Sequence, residues 1–414
     1  MTSERSSRHR VPVAIGRRAY EVIVGPGARD ELPEIIASKV KGAVRAAVVT
    51  QAGIPFEVDA GIPVDHFTIP DGESAKTMAT VESLCRSFAR AGLHRGDVVV
   101  AVGGGVVTDV AGFAAATFHR GVALVNVATS LLGQVDAAIG GKTGVNIPEG
   151  KNLIGAFWQP RAVICDTDAL VTLPEREWAC GRGEMAKYAF LRTPNSGAPD
   201  ASLLDMPIEQ QIATCAAIKA EVVSSDEREA GTRMILNYGH TLAHALEAAA
   251  FTEGGDGGAD RALRHGEAVA VGLVFAAKLA RNLGRIDDAR VELHREIVAR
   301  FGLSEAIPAL RPGVGDDDLL EFMARDKKAN GGLTFVLDGP GGVQPVYEVD
   351  PGAVLATLAD MPRTRDSSLD VGMDGVLRTG GADDRSPTDA AAFGSQSGCA
   401  RSEASRGLRH GDPR

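Results

Sequence analysis

The chain has 414 residues, which at about 150 residues per domain makes room for two to three domains. With 44% hydrophobic and 24% charged residues it reads as a soluble globular protein, and a net charge of -10 argues against nucleic acid or an anionic membrane surface as partner. Long apolar runs are missing and the start, MTSERSSRHR, lacks a signal-peptide core, so neither membrane nor secreted character is expected and the cytoplasm is the default compartment.

From about residue 20 to 175, short β-branched runs (AAVVT, VVVAV, ALVNVAT, AVICDT) alternate with segments of helical spacing such as TMATVESLCRSFARAG, the pattern of βα units on a parallel sheet. After Pro174 the strand signal fades. EMAKYAFL, IEQQIATCAAIKAEVVSSDERE, GHTLAHALEAAA, EAVAVGLVFAAKLARNLG and DDARVELHREIVARFG all fit helices, separated by polar Gly/Pro-rich loops near 192–202 and 252–260. The expected layout is therefore an α/β Rossmann-like domain with a parallel sheet (1–175), a mainly α-helical domain (176–362) and a tail (363–414). The tail is charge-neutral, rich in Gly and Ser and poor in large aliphatics, too little apolar surface to offset ordering entropy, so it reads as disordered. Five cysteines without a CxxC outline neither a disulfide framework nor a thiolate zinc site and read as reduced and mostly buried.

Several motifs carry chemistry. The strand VVVAV runs into Gly103-Gly104-Gly105 and a helix, where backbone N–H groups and the helix dipole suit a pyrophosphate; a tight turn without a ligand is the plainer alternative. Asp109, one turn on, reads either as a ribose ligand or as a dipole-complementing acid. Asp71-Gly72-Glu73 with Lys76 reads as a ribose-holding group or a capped turn. The run from Thr129 to Asn152 sets Asp136, Lys142, Asn146, Lys151 and Asn152 among glycines and aliphatics; such charges are costly to bury without a ligand, though an Asp136–Lys142 ion pair would also explain them. Glu184 and Lys187 share a helix face at i and i+3. His240 and His244 at i and i+4, with His265 and a glutamate, form a zinc-type donor set, and spacing alone allows both helix histidines as ligands. Glu229, Arg233, Asn237 and His240 fall along one helical stripe by their spacing, with Lys219 upstream.

Together these residues resemble 3-dehydroquinate synthases, members of the sugar phosphate cyclases, over about residues 12–360. The matching motifs are DGExxK (71–76), GGGVVTDVAGF (103–113), HRGV with Arg120, VDAAIGGKTGVN (135–146), GKNLIGAF (150–157), GEMAK (183–187), KAEVVSSDERE (219–229), LNYGHTLAHALE (236–247), RHGEAVAVG (264–272) and DKK (326–328). Ten motifs in this order are specific. The resemblance implies NAD held around Asp71, Gly72, Glu73, Lys76, Gly104, Gly105, Val106, Asp109, Thr129, Ser130, Lys142, Lys151 and Thr172. It implies a divalent metal, zinc or alternatively cobalt, on Glu184, His240 and His265, with His244 facing substrate. Substrate contacts would come from Arg120, Asp136, Lys142, Asn152, Lys187, Lys219, Arg233, Asn237 and one of Lys327 or Lys328.

The implied reaction converts 3-deoxy-D-arabino-heptulosonate 7-phosphate to 3-dehydroquinate and phosphate, a step toward aromatic amino acids, by transient oxidation, phosphate elimination, reduction and aldol closure with NAD regenerated. A homodimer is also implied. Ser130 and Ala243 stand where Thr and Gly are usual, and neither change removes a catalytic group. The alternatives are a sister cyclase of aminodehydroquinate, 2-deoxy-scyllo-inosose or valiolone type, a metal-dependent polyol dehydrogenase, or a non-enzymatic scaffold, which would require a lost ligand.

Overall fold

A computed structural model describes residues 8–191, 201–229, 231–250, 263–325 and 332–364. The loops expected near 192–202 and 252–260 lie almost wholly outside the described residues, as do Lys327, Lys328 and the tail beyond Thr364. Arg363 and Thr364 are described: Arg363 bridges to Ile307, and Thr364 N donates to the Ile307 carbonyl at 3.0 Å.

In chain order the strands are β1 (His9–Val13), β2 (Tyr20–Gly25), β3 (Ala46–Gln51), β4 (Val64–Ile69), β5 (Val98–Gly103), β6 (Ala123–Ala128), β7 (Lys142–Ile147), β8 (Gly150–Phe157), β9 (Val163–Asp166), β10 (Phe335–Leu337) and β11 (Gln344–Val346). The helices are α1 (Leu32–Lys39), α2 (Met78–Arg90), α3 (Gly105–Thr117), α4 (Glu175–Tyr188), α5 (Ile208–Ser225), α6 (His240–Ala250), α7 (His265–Asn282), α8 (Asp288–Arg300), α9 (Asp316–Arg325) and α10 (Pro351–Ala359). Seven strands form one sheet in the order β1-β2-β9-β6-β5-β3-β4, parallel except for the β1–β2 pair.

Central strand β5 shows why an unbroken apolar run is needed there. Its Val99 and Ala101 enter a core with α2 and α3, while Val98, Val100 and Val102 enter another with α1, so both faces are covered. A third core joins the helical half to the sheet: Val22, Val163 and Cys165 share it with Leu242, Leu273 and Phe275. Helix α7 is buried nearly all round, as its apolar sequence requires, and α4, α6, α8 and α10 pack against it. The described residues form one compact unit.

The structure departs from the sequence reading in three places. The polar run 129–152 contains a π-helical turn at Gly133–Ala137 and then the antiparallel hairpin β7–β8. Gly144 and Gly155 pair across that hairpin, and a Cβ on Gly155 would lie 2.1 Å from the Thr143 carbonyl, so strands this close require glycine. The second half also holds a short strand pair, β10–β11. Finally, Glu229 to His240 is not one helical stripe. A 3-10 turn spans Thr232–Asn237, and Glu229 (φ 59°) and Gly239 (φ 81°) are left-handed on either side of it. Asp226 causes the break by accepting from the backbone N–H of Gly231 (2.7 Å) and Arg233 (3.1 Å), which an α-helix would have used itself.

Candidate active site

Glycine contacts bring three donor side chains together. A Cβ on Gly183 would lie 1.9 Å from the Gly266 carbonyl and one on Gly266 1.7 Å from the Cys180 carbonyl, so α4 and α7 touch backbone to backbone. That contact sets Glu184, next to Gly183, against His265, next to Gly266. Gly272 of α7 likewise meets the Gly239 carbonyl, which seats His240 at the start of α6. The donor atoms of Glu184, His240 and His265 all fall within 4.8 Å of one another. Glu184 Oε1 is 3.0 Å from His265 Nε2 and 3.3 Å from His240 Nε2.

Those spacings suit a metal. Tetrahedral ligands at about 2.1 Å from zinc stand about 3.4 Å apart. His240 Nδ1 donates to the Tyr238 carbonyl (3.2 Å), which leaves Nε2 free as a ligand, and Glu184 turns Oε1 toward both histidines while Oε2 meets Lys187 Nζ. Burial would raise the Glu184 pKa, but Lys187 and His240 outweigh it and hold the carboxyl well below its usual range. The converging set is Glu184, His240 and His265 rather than the two helix histidines alone. His244 lies beside it, exposed, its ring 5.5 Å from that of His240 and 6.3 Å from that of His265.

A buried cation cluster adjoins the donor set. Lys187 (1% exposed) pairs with Glu184 and lies 3.7 Å from Asp136. Lys219 Nζ sits 2.9 Å from the Asp136 carboxylate and donates to its carbonyl (2.5 Å), while Tyr188 donates its hydroxyl to Asp136 at 2.6 Å. Burial works against ionising Asp136, yet Lys187 and Lys219 hold its pKa far below the ordinary value. Burial also lowers Lys219, to about 8, despite Asp136. Arg233 is buried and donates to the carbonyls of Glu227 (2.6 Å) and Gly140 (3.0 Å). Lys142 does not pair with Asp136: its partner is Glu229 at 2.5 Å, which also accepts from Asn237 at 3.1 Å.

At the C-terminal end of β5 the glycine turn opens onto α3. A Cβ on Gly104 would meet Ser130 Oγ at 3.0 Å and one on Gly105 Ala137 at 3.3 Å, while Thr129 N donates to the Gly103 carbonyl at 3.0 Å. This bare backbone at a helix N-terminus fits a dinucleotide's phosphates. Lys76 is buried between Asp109 (2.7 Å) and Asn152 (2.6 Å), with Glu73 3.7 Å away. Glu73 accepts from Asn146 (2.8 Å), whose side-chain oxygen accepts from Asn152 N (2.8 Å). Asp71 and Gly72 precede this group, and Val106 lies in the first turn of α3. Lys151 reaches away from Lys76, to Glu247 of α6 at 3.3 Å. Thr172 is exposed in the 3-10 turn after β9, and Arg120 is exposed in the turn after α3. Tyr188 and Glu247 are site neighbours that the sequence does not single out. Glu247 had a signal, since it falls seven residues after His240 on the same helix face.

A model of the 3-dehydroquinate synthase N-terminal region matches residues 66–180, and one of the C-terminal region matches 181–329. The chain is 49% identical over 357 residues to a protein of Amycolatopsis mediterranei (strain S699) described as "Putative aminodehydroquinate synthase", covering 86% of this chain and 95% of that one. It is 42% identical over 360 residues to the 3-dehydroquinate synthase of Mycobacterium leprae (strain TN), covering 83% and 95%. Among solved structures, 2-deoxy-scyllo-inosose synthase complexed with carbaglucose-6-phosphate, NAD+ and Co2+ superposes with a TM-score of 0.71 at 26% identity, over 85% of this chain and 100% of that one. A 2-epi-5-epi-valiolone synthase from Streptomyces hygroscopicus with NAD+ and Zn2+ bound shares the fold, with a TM-score of 0.68 at 24% identity over 82% and 96% of the two chains.

Proposed function

The chain belongs to the 3-dehydroquinate synthase family of sugar phosphate cyclases, and on that premise we propose that it converts 3-deoxy-D-arabino-heptulosonate 7-phosphate to 3-dehydroquinate and phosphate. The observation that carries this reading is the junction of two features: Lys187 touches the donor set through Glu184 and the cation cluster through Asp136. A simple alcohol dehydrogenase needs only the first feature. A substrate with a carboxylate and a phosphate on a polyol needs both.

In this reading residues 1–175 hold NAD and residues 176–362 hold metal and substrate. Glu184, His240 and His265 hold the divalent ion; Gly104, Gly105 and Lys76 line the nucleotide's seat. When bound, NAD supplies a temporary hydride acceptor and the metal a Lewis acid for the alcohol under oxidation. The chain's own groups do the rest. Lys187 and Lys219, held apart by Asp136, present ammonium groups to substrate oxygens. Lys219, with its pKa near 8, can give up or take a proton at Nζ close to neutral pH. Lys142 and Asn237 are held by Glu229, a carboxylate that an anionic substrate would replace. Holding one flexible substrate between these groups supplies the geometry for elimination and ring closure.

A second reading is favoured by one observation: identity is higher to the Amycolatopsis relative (49%) than to the mycobacterial one (42%). The two substrates differ by an amino group in place of one hydroxyl. Measuring kcat/KM for phosphate release from 3-deoxy-D-arabino-heptulosonate 7-phosphate and from its amino analogue decides between them. The proposal expects the oxygen substrate to be preferred, and a preference for the amino analogue would replace it with the second reading.

A further inference from the structure

We infer that Glu247 is a positioning residue for the metal centre, fixing the ring of His265 through Nδ1 so that Nε2 faces the ion. The inference rests on the reading of Glu184, His240 and His265 as metal ligands.

A histidine ligand is set by what its second ring nitrogen meets. His240 has a rigid answer: Nδ1 donates to the Tyr238 carbonyl at 3.2 Å, and its ring is largely enclosed. His265 differs. It is the first residue of α7, its side chain is 30% exposed, and no backbone carbonyl hydrogen-bonds its ring among the described residues. Packing constrains this ring less than that of His240, and a turned ring would present the wrong nitrogen.

Glu247 supplies the missing constraint. His265 Nε2 is 3.0 Å from Glu184 Oε1, inside the donor set, while Nδ1 is 3.6 Å from Glu247 Oε1 on the other side of the ring. Glu247 lies two turns beyond His240 on α6, so the element that delivers one ligand also orients another. Its side chain is only 12% exposed, and Lys151 at 3.3 Å holds the same oxygen from the β7–β8 hairpin. With both ends on fixed elements, the carboxylate has few positions to choose from. Glu247 is therefore placed to hold a proton on Nδ1 and keep the Nε2 lone pair on the metal.

The test is metal affinity of the full-length apoprotein for Co2+ in competition with a chelator, together with the visible absorption of bound Co2+ and the thermal transition of the apoprotein. Glu247→Ala should weaken binding about 10- to 100-fold and change the Co2+ absorption envelope. Glu247→Gln, which keeps an acceptor oxygen but loses the charge, should recover most of the affinity and the native spectrum. Equal weakening by both variants would mean that charge alone matters and would overturn the positioning role, as would unchanged binding by Glu247→Ala. A variant whose apo transition collapses would overturn it too, showing a structural residue. If the unaltered protein itself binds no Co2+, the metal reading fails, an outcome distinct from all of these.

Discussion

His294 should make the protein's stability depend on pH from about 6.5 downward, beginning above the range in which carboxylates titrate. It is fully buried, stacked on Phe190 with ring centroids 3.8 Å apart. Nδ1 donates to the Arg290 carbonyl (2.8 Å) and Nε2 accepts from the Tyr238 hydroxyl (2.7 Å), so the neutral ring satisfies both partners. Burial pushes its pKa from 6.5 down to about 4; the Arg290 carbonyl and Asp338 oppose that shift, and the Arg290 guanidinium adds to it. Below 6.5 the unfolded chain takes a proton that the native ring refuses. The contribution is therefore complete above that pH, is lost as pH falls toward 4, and is gone below it. Linkage gives about 2 kcal/mol lost by pH 5 and about 3 kcal/mol by pH 4. Urea unfolding between about pH 7.5 and 5 should show the unaltered protein losing about 2 kcal/mol more than His294→Gln, because other groups titrate alike in both and cancel. Parallel curves would refute the reasoning. So would a ring titration by NMR near 6.5 in the native protein.

Gly266→Ala should cost about 3 kcal/mol or more and abolish metal retention, because its Cβ would sit 1.7 Å from the Cys180 carbonyl; thermal unfolding and metal content check this. Burial lowers Lys219 to about 8, so kcat/KM should fall as pH rises through that value and the ammonium is lost. Lys219→Arg should move that alkaline limb upward, because a guanidinium stays charged; an unmoved limb would assign it to another group. Lys76→Met strands the half-buried Asp109 carboxylate, 2.7 Å from the lost ammonium, and should weaken NAD binding by about tenfold or more in calorimetry. Unchanged affinity would remove Lys76 from the nucleotide site.

How much was legible depended on whether the signal was local. Strand β5 and helix α3 could be read because an apolar run, three glycines and a helical period follow one another directly. The hairpin β7–β8 could not, since Gly144 and Gly155 lower strand propensity where close backbone approach requires them. The supposed stripe from Glu229 to His240 failed because Asp226 takes two backbone N–H groups and ends the helix. Partner choice was the least legible. Nothing local shows that Lys142 meets Glu229 instead of Asp136, or that Tyr188 donates to Asp136 across 52 residues. Those pairings depend on how the β7–β8 hairpin meets the loop after α5 and how α4 meets the turn at Asp136, which become visible only in three dimensions.

The measurement that bears most directly on the proposed activity is phosphate release from 3-deoxy-D-arabino-heptulosonate 7-phosphate with catalytic NAD and zinc, with and without a chelator, while absorbance follows NADH. Chelator-sensitive release over many turnovers with no NADH build-up is the predicted result. NADH accumulating in step with turnover, or no phosphate released at all, would contradict the account.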